Sequence, residues 1–222
     1  MRQVWEVLRK DLLIEWRGRS RSTGVFFFAM ILLLLFSFAL GPDSQVLRQH
    51  AGAYMWLSLL LSSTLALSQS FRIEVESDAL TVLRLLPVSP VSLYYGKAAA
   101  NTLVLLLLGV ASGPIVIAVF DVTLHAPIGH LLLLLLLGCA GLAAPGTLYA
   151  GITCRAKGQE ILLPVLLFPL IVPAMLASVK ATTLMMNGDP MGQGRSWFIL
   201  LLCFDIIYWS ISGLLFAKVI EE

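Results

Sequence analysis

Charged residues are scarce in this chain of 222 residues, making up 13% of it against 59% hydrophobic residues. A soluble domain carries about 25% charged residues. Apolar runs of 18 or more residues recur along the chain, and a helix that crosses a bilayer needs about 20 such residues. The composition therefore excludes an ordinary soluble domain and predicts an all-α, polytopic membrane protein.

Sequence motifs of enzymes and nucleotide-binding sites are also missing. There is no G-x-x-x-x-G-K-[ST] pattern, so the chain is expected to have no ATPase site of its own. H-E-x-x-H, G-x-S-x-G and paired intramembrane aspartates are absent too, which disfavours a membrane enzyme. The three cysteines form no C-x-x-C pair, and the sparse basic residues form no nucleic-acid surface. We therefore expect no catalytic residue, no bound metal and no nucleic-acid partner.

A basic amphipathic helix is predicted over residues 1–22, ahead of the apolar runs. Trp5, Leu8, Leu12 and Trp16 recur there at three- and four-residue spacing, which is typical of a helix lying in the membrane interface. This segment is too long and too acidic for a signal peptide, so the first apolar run is expected to be retained. The six predicted spans are residues 23–40, 51–70, 91–120, 130–153, 161–179 and 197–217.

Lysine and arginine are unevenly divided between the two sets of predicted loops. Six lie in the N-terminal 21 residues, three in residues 71–97, two in residues 154–160 and one at Lys218. The three other loops contain only Arg48, Lys180 and Arg195. By the positive-inside rule, this distribution predicts six spans with the N- and C-termini in the cytoplasm.

Residues 71–97 form the longest polar interruption between apolar runs. The stretch begins as an amphipathic helical pattern and reaches Leu86-Pro87, where proline disfavours helix in the residue before it. Ser89-Pro90 then has the signature of a helix start, with serine at the N-cap and proline in the first turn. A short charged helix followed by a stiff turn predicts a cytoplasmic surface, residues 71–90, on which another protein can act.

Prolines and rare polar side chains within the predicted spans are further candidates. Asp205 is the one acid well inside a span. Two interpretations stay open for it: an intramembrane polar site or a packing residue. All three histidines, His50, His125 and His130, fall on the predicted outer side. They are interpreted either as haem ligands or as ordinary interfacial residues. The predicted kink positions are Pro145 and Gly146 in the fourth span, and Pro164, Pro169 and Pro173 in the fifth.

Four motifs carry a resemblance to a known family. Leu85-Leu86-Pro87-Val88-Ser89-Pro90 followed by Lys97 resembles the cytoplasmic segment of ABC-2-type transporter permeases. Phe71-Arg72, Ala144-Pro145-Gly146 and the run Leu167-Phe168-Pro169-Leu170-Ile171-Val172-Pro173 are similar to the haem exporter protein B family, the permease subunits of the cytochrome c maturation system. Ser77-Asp78-Ala79-Leu80-Thr81 departs from that family's usual acidic-Gly-Ser/Thr-Leu-Glu pattern. The resemblance covers nearly the whole chain.

This resemblance implies one transmembrane permease domain over residues 1–222, in a bacterial inner membrane. It implies an ABC ATPase subunit that binds ATP, a haem-handling membrane protein with a small companion subunit, and a periplasmic haem chaperone. A second copy of the chain is also expected. The residues expected to couple to the ATPase are Phe71, Arg72, Glu74, Glu76, Asp78, Leu85, Leu86, Pro87, Pro90 and Lys97.

ATP hydrolysis would then drive haem export or the release of the haem-loaded chaperone, with haem as cargo rather than as a cofactor bound by this chain. Two alternatives remain open at this stage. The chain could be a permease for another cargo, such as a lipid or a drug. It could also be a scaffold that holds a complex together without transporting anything.

Overall fold

Seven α-helices account for most of the described chain. The computed structural model describes residues 2–41, 43–76, 89–122, 126–154, 156, 158–189 and 191–221. Six of the helices, all but the first, contain stretches long and apolar enough to cross a membrane. The helices are α1 Arg2–Arg17, α2 Arg19–Leu40, α3 Ser44–Glu76, α4 Pro90–Val119, α5 Ile128–Thr153, α6 Gln159–Asn187 and α7 Gly194–Glu221.

The predicted all-α architecture, with six apolar helices after a separate N-terminal helix, is confirmed. The start of α4 also matches the sequence pattern closely. The Ser89 hydroxyl accepts a hydrogen bond from the backbone amide of Ser92 at 3.3 Å, and Pro90 lies in the first turn. Proline suits that position because amides in the first turn have no helical acceptor. The sidedness of the termini stays a prediction.

Several helices are longer than the predicted spans. The loop predicted before the second span is mostly helical, because α3 already begins at Ser44. Asp43 caps it, since its Oδ1 accepts hydrogen bonds from the backbone amides of Gln45 and Val46. Residues 180–187, also predicted as a loop, continue α6 and bury Ala181. Both predictions limited the helix to the hydrophobic residues. Capping at the start of α3 and tertiary packing at the end of α6 extend the two helices beyond those residues.

Prolines lie inside three helices without ending them. Helix α5 runs through the predicted kink at Ala144-Pro145-Gly146 as continuous helix with all three residues buried, and a bend there stays a prediction. The buried surroundings hold the backbone in place even though proline removes one hydrogen bond. On α6, Pro164 is half-buried, whereas Pro169 and Pro173 are exposed on the outer surface of the bundle.

Helix α5 lies at the centre of the bundle, against α3, α4, α6 and α7. Every residue from Gly141 to Leu148 is buried. Gly138 lets Trp56 of α3 lie directly on the α5 backbone, and a Cβ at Gly138 would overlap the indole ring. Trp56 is held there because its Nε1 donates a hydrogen bond to Thr182 Oγ1 of α6 at 2.8 Å. A small residue therefore sets the spacing of three helices, as is common in membrane bundles.

Replacing Gly138 with alanine should destabilise the bundle, because the added methyl group displaces Trp56. Overpacking of this kind costs about 1–3 kcal/mol. Thermal unfolding of the purified chain in detergent, followed by tryptophan fluorescence, should show a lower midpoint for Gly138→Ala. Gly129→Ala is the matched control, since Gly129 lies on the same helix and nothing approaches its Cβ position within 4 Å. Equal midpoints for the two variants would contradict this account.

Candidate functional site

The predicted coupling segment, residues 71–90, begins in the last turns of α3 and finishes at the start of α4. Helix α3 ends at Glu76, and α4 begins at Pro90. Four predicted coupling residues, Asp78, Leu85, Leu86 and Pro87, lie outside the described residues. The structure therefore describes both ends of the segment, residues 71–76 and 89–90. The backbone of Glu74 and Glu76 belongs to the last turns of α3. The side chain of Arg72 is exposed.

Lys97, a predicted coupling residue, lies inside the bundle. Its side chain is 1% exposed, and its Nζ lies 3.1 Å from Oδ2 of Asp11 on α1. The same Nζ lies 4.7 Å from the centroid of the Phe71 ring on α3, within the range of a cation–π contact. An ammonium group this deep needs a counter-charge, because its desolvation costs several kcal/mol. The ion pair therefore ties α1 to the first turns of α4, beside the end of α3.

Helix α1 also approaches α4 closely at Gly96, next to Lys97. A Cβ added to Gly96 would lie 2.6 Å from Val7 Cβ and 3.0 Å from the carbonyl oxygen of Val4. Val7 is the buried residue of α1. Any larger residue at position 96 would have to push the two helices apart. The backbone contact and the ion pair thus fix the same part of α1 against α4.

Three aromatic rings complete this end of the bundle. Phe71 of α3 and Tyr94 of α4 both contact Phe216 of α7, with ring centroids 6.1 Å and 5.4 Å away. The Tyr94 hydroxyl donates a hydrogen bond to the Ala144 carbonyl of α5 at 3.0 Å. Aromatic pairs at these separations are attractive. We name the residues Asp11, Phe71, Tyr94, Lys97 and Phe216 the basal cluster.

The basal cluster joins four helices directly and a fifth through Ala144. Phe71 opens the predicted coupling segment, and Lys97 lies two turns beyond Pro90, where the segment ends. A displacement of either end of the segment must therefore disturb the cluster.

Asp205 lies half-way along α7, where α5 and α6 pack against it. Its side chain is 6% exposed, and neither carboxylate oxygen has a hydrogen-bond partner among the described residues. A Cβ added to Gly141 of α5 would lie 2.9 Å from Oδ1, and 3.6 Å from Ala174 Cβ and Phe204 Cδ1. Apolar groups of Ala174 and Phe204 thus lie close to the same position on α5 as the Asp205 carboxyl group, and an ionised form without a partner there would be costly.

The histidines are not gathered into a ligand set by the described structure. His50 and His130 are exposed near the starts of α3 and α5, and His125 lies outside the described residues. The His50 ring contacts Tyr54 at its edge, with centroids 6.2 Å apart. Within the described ranges, no group of three or more His, Cys, Asp or Glu side chains could hold a metal ion. Haem ligation by these histidines stays a prediction.

Asp11, Tyr94 and Phe216 were missed by the sequence analysis. For Asp11 there was a usable signal, because it is an acid on the face of α1 opposite Trp5 and Trp16. Those tryptophans are 65% and 69% exposed, as expected for side chains that face lipid. An acid on the other face of a membrane-bound helix calls for a basic partner in the bundle. The two aromatic residues carry no such signal within an apolar sequence.

Comparison with known proteins decides the family. A family model described as CcmB protein matches residues 2–221. The chain belongs to the CcmB family. The resemblance drawn from the sequence motifs is thereby confirmed. The basal cluster and Asp205 are therefore features of a CcmB family member.

Several curated relatives share this similarity over most of their length. Heme exporter protein B of Rhodobacter capsulatus is 33% identical over 77% of this chain and 78% of the relative. Heme exporter protein B of Pseudomonas aeruginosa is 30% identical over 89% of this chain and 88% of the relative. That of Bradyrhizobium diazoefficiens is 29% identical, with 87% and 86% covered.

Replacing Asp11 with asparagine should destabilise this CcmB family member, because it removes the carboxylate that lies 3.1 Å from the buried Lys97 ammonium group. Breaking a buried ion pair from one side costs on the order of 3 kcal/mol. Thermal unfolding in detergent should show a large fall in midpoint. The control is Glu6→Gln on the same helix. The Glu6 and Arg2 side chains form an ion pair and are 62% and 92% exposed. An exposed pair of this kind contributes less than about 1 kcal/mol to stability. Similar midpoints for the two variants would show that the Lys97 pair does not hold α1 in place.

Replacing Asp205 with leucine should raise stability, since leucine has a similar size and leaves no polar atom without a partner. An unsatisfied buried polar group costs about 1–3 kcal/mol. The same unfolding assay should give a midpoint above that of the unmodified chain. Asp189→Leu serves as a control, because Asp189 is exposed and its oxygens already accept backbone hydrogen bonds from Gln193 and Gly194. A lower midpoint for Asp205→Leu would mean that the carboxyl group has a partner.

Proposed function

We propose that this CcmB family member is the membrane permease subunit of an ABC transporter complex for cytochrome c maturation. A separate ATPase subunit would bind and hydrolyse ATP on the cytoplasmic side. The hydrolysis would drive haem export or the release of a haem-loaded periplasmic chaperone. The name Heme exporter protein B, shared by the curated relatives, supports haem as the cargo. The observation that carries the coupling role is the basal cluster beside residues 71–90.

Coupling would start at residues 71–90, on the side where most lysine and arginine residues lie. The closing ATPase would press on this segment, whose two ends are anchored at Phe71 and near Lys97. Movement of Lys97 would carry α1 with it through Asp11, because separating this largely buried ion pair costs several kcal/mol. Helix α1 thereby becomes part of the moving unit.

The same movement would reach α5 and α7 through the aromatic residues of the basal cluster. Phe216 lies between Phe71 and Tyr94, and the Tyr94 hydroxyl is bonded to the α5 backbone. Both helices continue unbroken to the opposite end of the bundle. A shift at their base would therefore appear there as a rigid-body displacement, one of the usual routes of switching in proteins.

Other subunits follow from the same proposal. A haem-handling membrane protein with a small companion subunit would deliver haem, and a periplasmic chaperone would carry it away. A second copy of the chain would complete the membrane part of the complex in a bacterial inner membrane. Exposed apolar side chains on α6, among them Val165, Val172 and Leu176, are available to lipid or to these subunits.

The double variant Asp11→Asn/Lys97→Met tests the coupling. Removing both charges while preserving shape is nearly neutral for stability, so the complex should assemble and its ATPase should still hydrolyse ATP. Cytochrome c output should fall by at least about fivefold, the low end of typical coupling energies. The measurements are complex assembly, ATP turnover in vesicles, and c-type cytochrome content of cells.

Arg2→Gln/Glu6→Gln is the matched control, since it removes an exposed ion pair from the same helix. A separate arm replaces Glu74, Glu76 and Asp78 with alanine and should weaken docking of the ATPase itself. Normal cytochrome c output from both the charge-free double variant and the alanine variant would overturn the coupling proposal. Normal output with an ATPase-inactive partner would favour the scaffold instead, and loss of functions besides c-type cytochromes on deletion would favour another cargo.

A further inference from the structure

A cavity of about 540 Å³ lies between the α1–α2 turn and helices α3 and α4. Its walls are mainly apolar side chains, including Val25 and Phe26 of α2 and Leu107 of α4. Among the described lining residues, carboxylate and hydroxyl groups come only from Glu15, Ser22 and Thr23. All three lie close to the turn at Gly18. The cavity is therefore apolar along its length and polar at one end.

The cavity opens sideways, toward the bilayer. Its lining side chains include Trp16 and Leu107, which are 69% and 68% exposed. The helices that carry its walls are apolar enough to span a membrane, with α2 contributing residues Ser22–Leu40 and α4 contributing Pro90–Val119. Water does not fill cavities lined by apolar groups. At this position the available occupant is the acyl chain of a lipid.

Haem does not suit this cavity. The described lining residues include no histidine, cysteine, methionine or tyrosine, which are the usual protein ligands of haem iron. Haem also carries anionic propionates, and these would meet the Glu15 carboxylate at the polar end. The cavity is thus separate from the proposed cargo.

The polar end selects the head group. Glu15 accepts a hydrogen bond from the Ser22 hydroxyl, and a carboxylate can accept about four such bonds in all. An ammonium group, with three donors and a positive charge, complements this position. A lipid that presents only phosphate and hydroxyl groups brings a like charge to it. The charge of Glu15 therefore favours an amine-bearing phospholipid.

We propose that this cavity binds one phospholipid with a primary-amine head group, such as phosphatidylethanolamine. One acyl chain lies between α2 and α4, and the ammonium group lies at Glu15. The site is at the end of the bundle where the Lys and Arg distribution predicts the cytoplasm, so the lipid belongs to that leaflet. By filling the gap beside the α1–α2 turn, the lipid supports the docking of α1 on α4.

The full chain, reconstituted in nanodiscs with equal amounts of phosphatidylethanolamine and phosphatidylglycerol, provides the test. After gentle transfer to detergent, native mass spectrometry should show one retained phospholipid. Phosphatidylethanolamine should be enriched by about two- to fivefold, the ratio expected for one exposed ammonium–carboxylate pair. Retention of phosphatidylglycerol at an equal or higher level would overturn the head-group assignment.

Two variants separate the head group from the chain. Glu15→Gln should abolish the enrichment, because glutamine still accepts the Ser22 bond but carries no charge; Glu6→Gln, on the exposed face of α1, should preserve it. Ala111→Phe should remove the retained lipid by filling the cavity wall, whereas Ala118→Phe, two turns along on an exposed position of α4, should not. Lipid retained by Ala111→Phe, or enrichment unchanged in Glu15→Gln, would refute the site.

Discussion

The buried ammonium group of Lys97 imposes the constraint on which the rest of this structure depends. A positive charge inside the bundle requires a counter-charge, and Asp11 of α1 supplies it at 3.1 Å. Helix α1 is consequently a structural part of the bundle, even though its tryptophans face outward. The close approach at Gly96 and the rings of Phe71, Tyr94 and Phe216 are arranged around this pair. Without it, α1 would be held by its apolar contact at Gly96 and by the membrane surface alone.

The predicted coupling residues divide into two kinds once their positions are known. Phe71 and Lys97 are interior anchors, whereas Arg72 is exposed at the end of α3. Under the proposed coupling role, a surface residue would meet the partner, and an anchor would determine how far the resulting displacement spreads. The family's sequence motif combines both kinds because the segment is short enough for contact and anchorage to lie within a few turns.

The spans, the separate α1 and the start of α4 could be predicted because each depends on local signals. Hydrophobic runs near 20 residues define the spans, and Ser89-Pro90 marks a helix start through its own chemistry. Asp43 also caps locally, but a fall in hydrophobicity concealed the start of α3. The continuity of α5 through Pro145, the burial of Asp205 and the pairing of Lys97 with Asp11 depend on helices distant in sequence. Pairing Asp11 with Lys97 needs the packing of α1 against α4, which a hydrophobicity pattern does not contain.

The distance along the chain between Asp11 and Lys97 has a consequence for biogenesis. The two residues are 86 positions apart, and a ribosome synthesises about 5–20 residues per second. Helix α1 thus leaves the ribosome on the order of ten seconds before its partner residue exists. During that interval its exposed Trp5 and Trp16 can hold it at the membrane surface. The ion pair can close once Lys97 of α4 has been made, while α5, α6 and α7 are still to be synthesised.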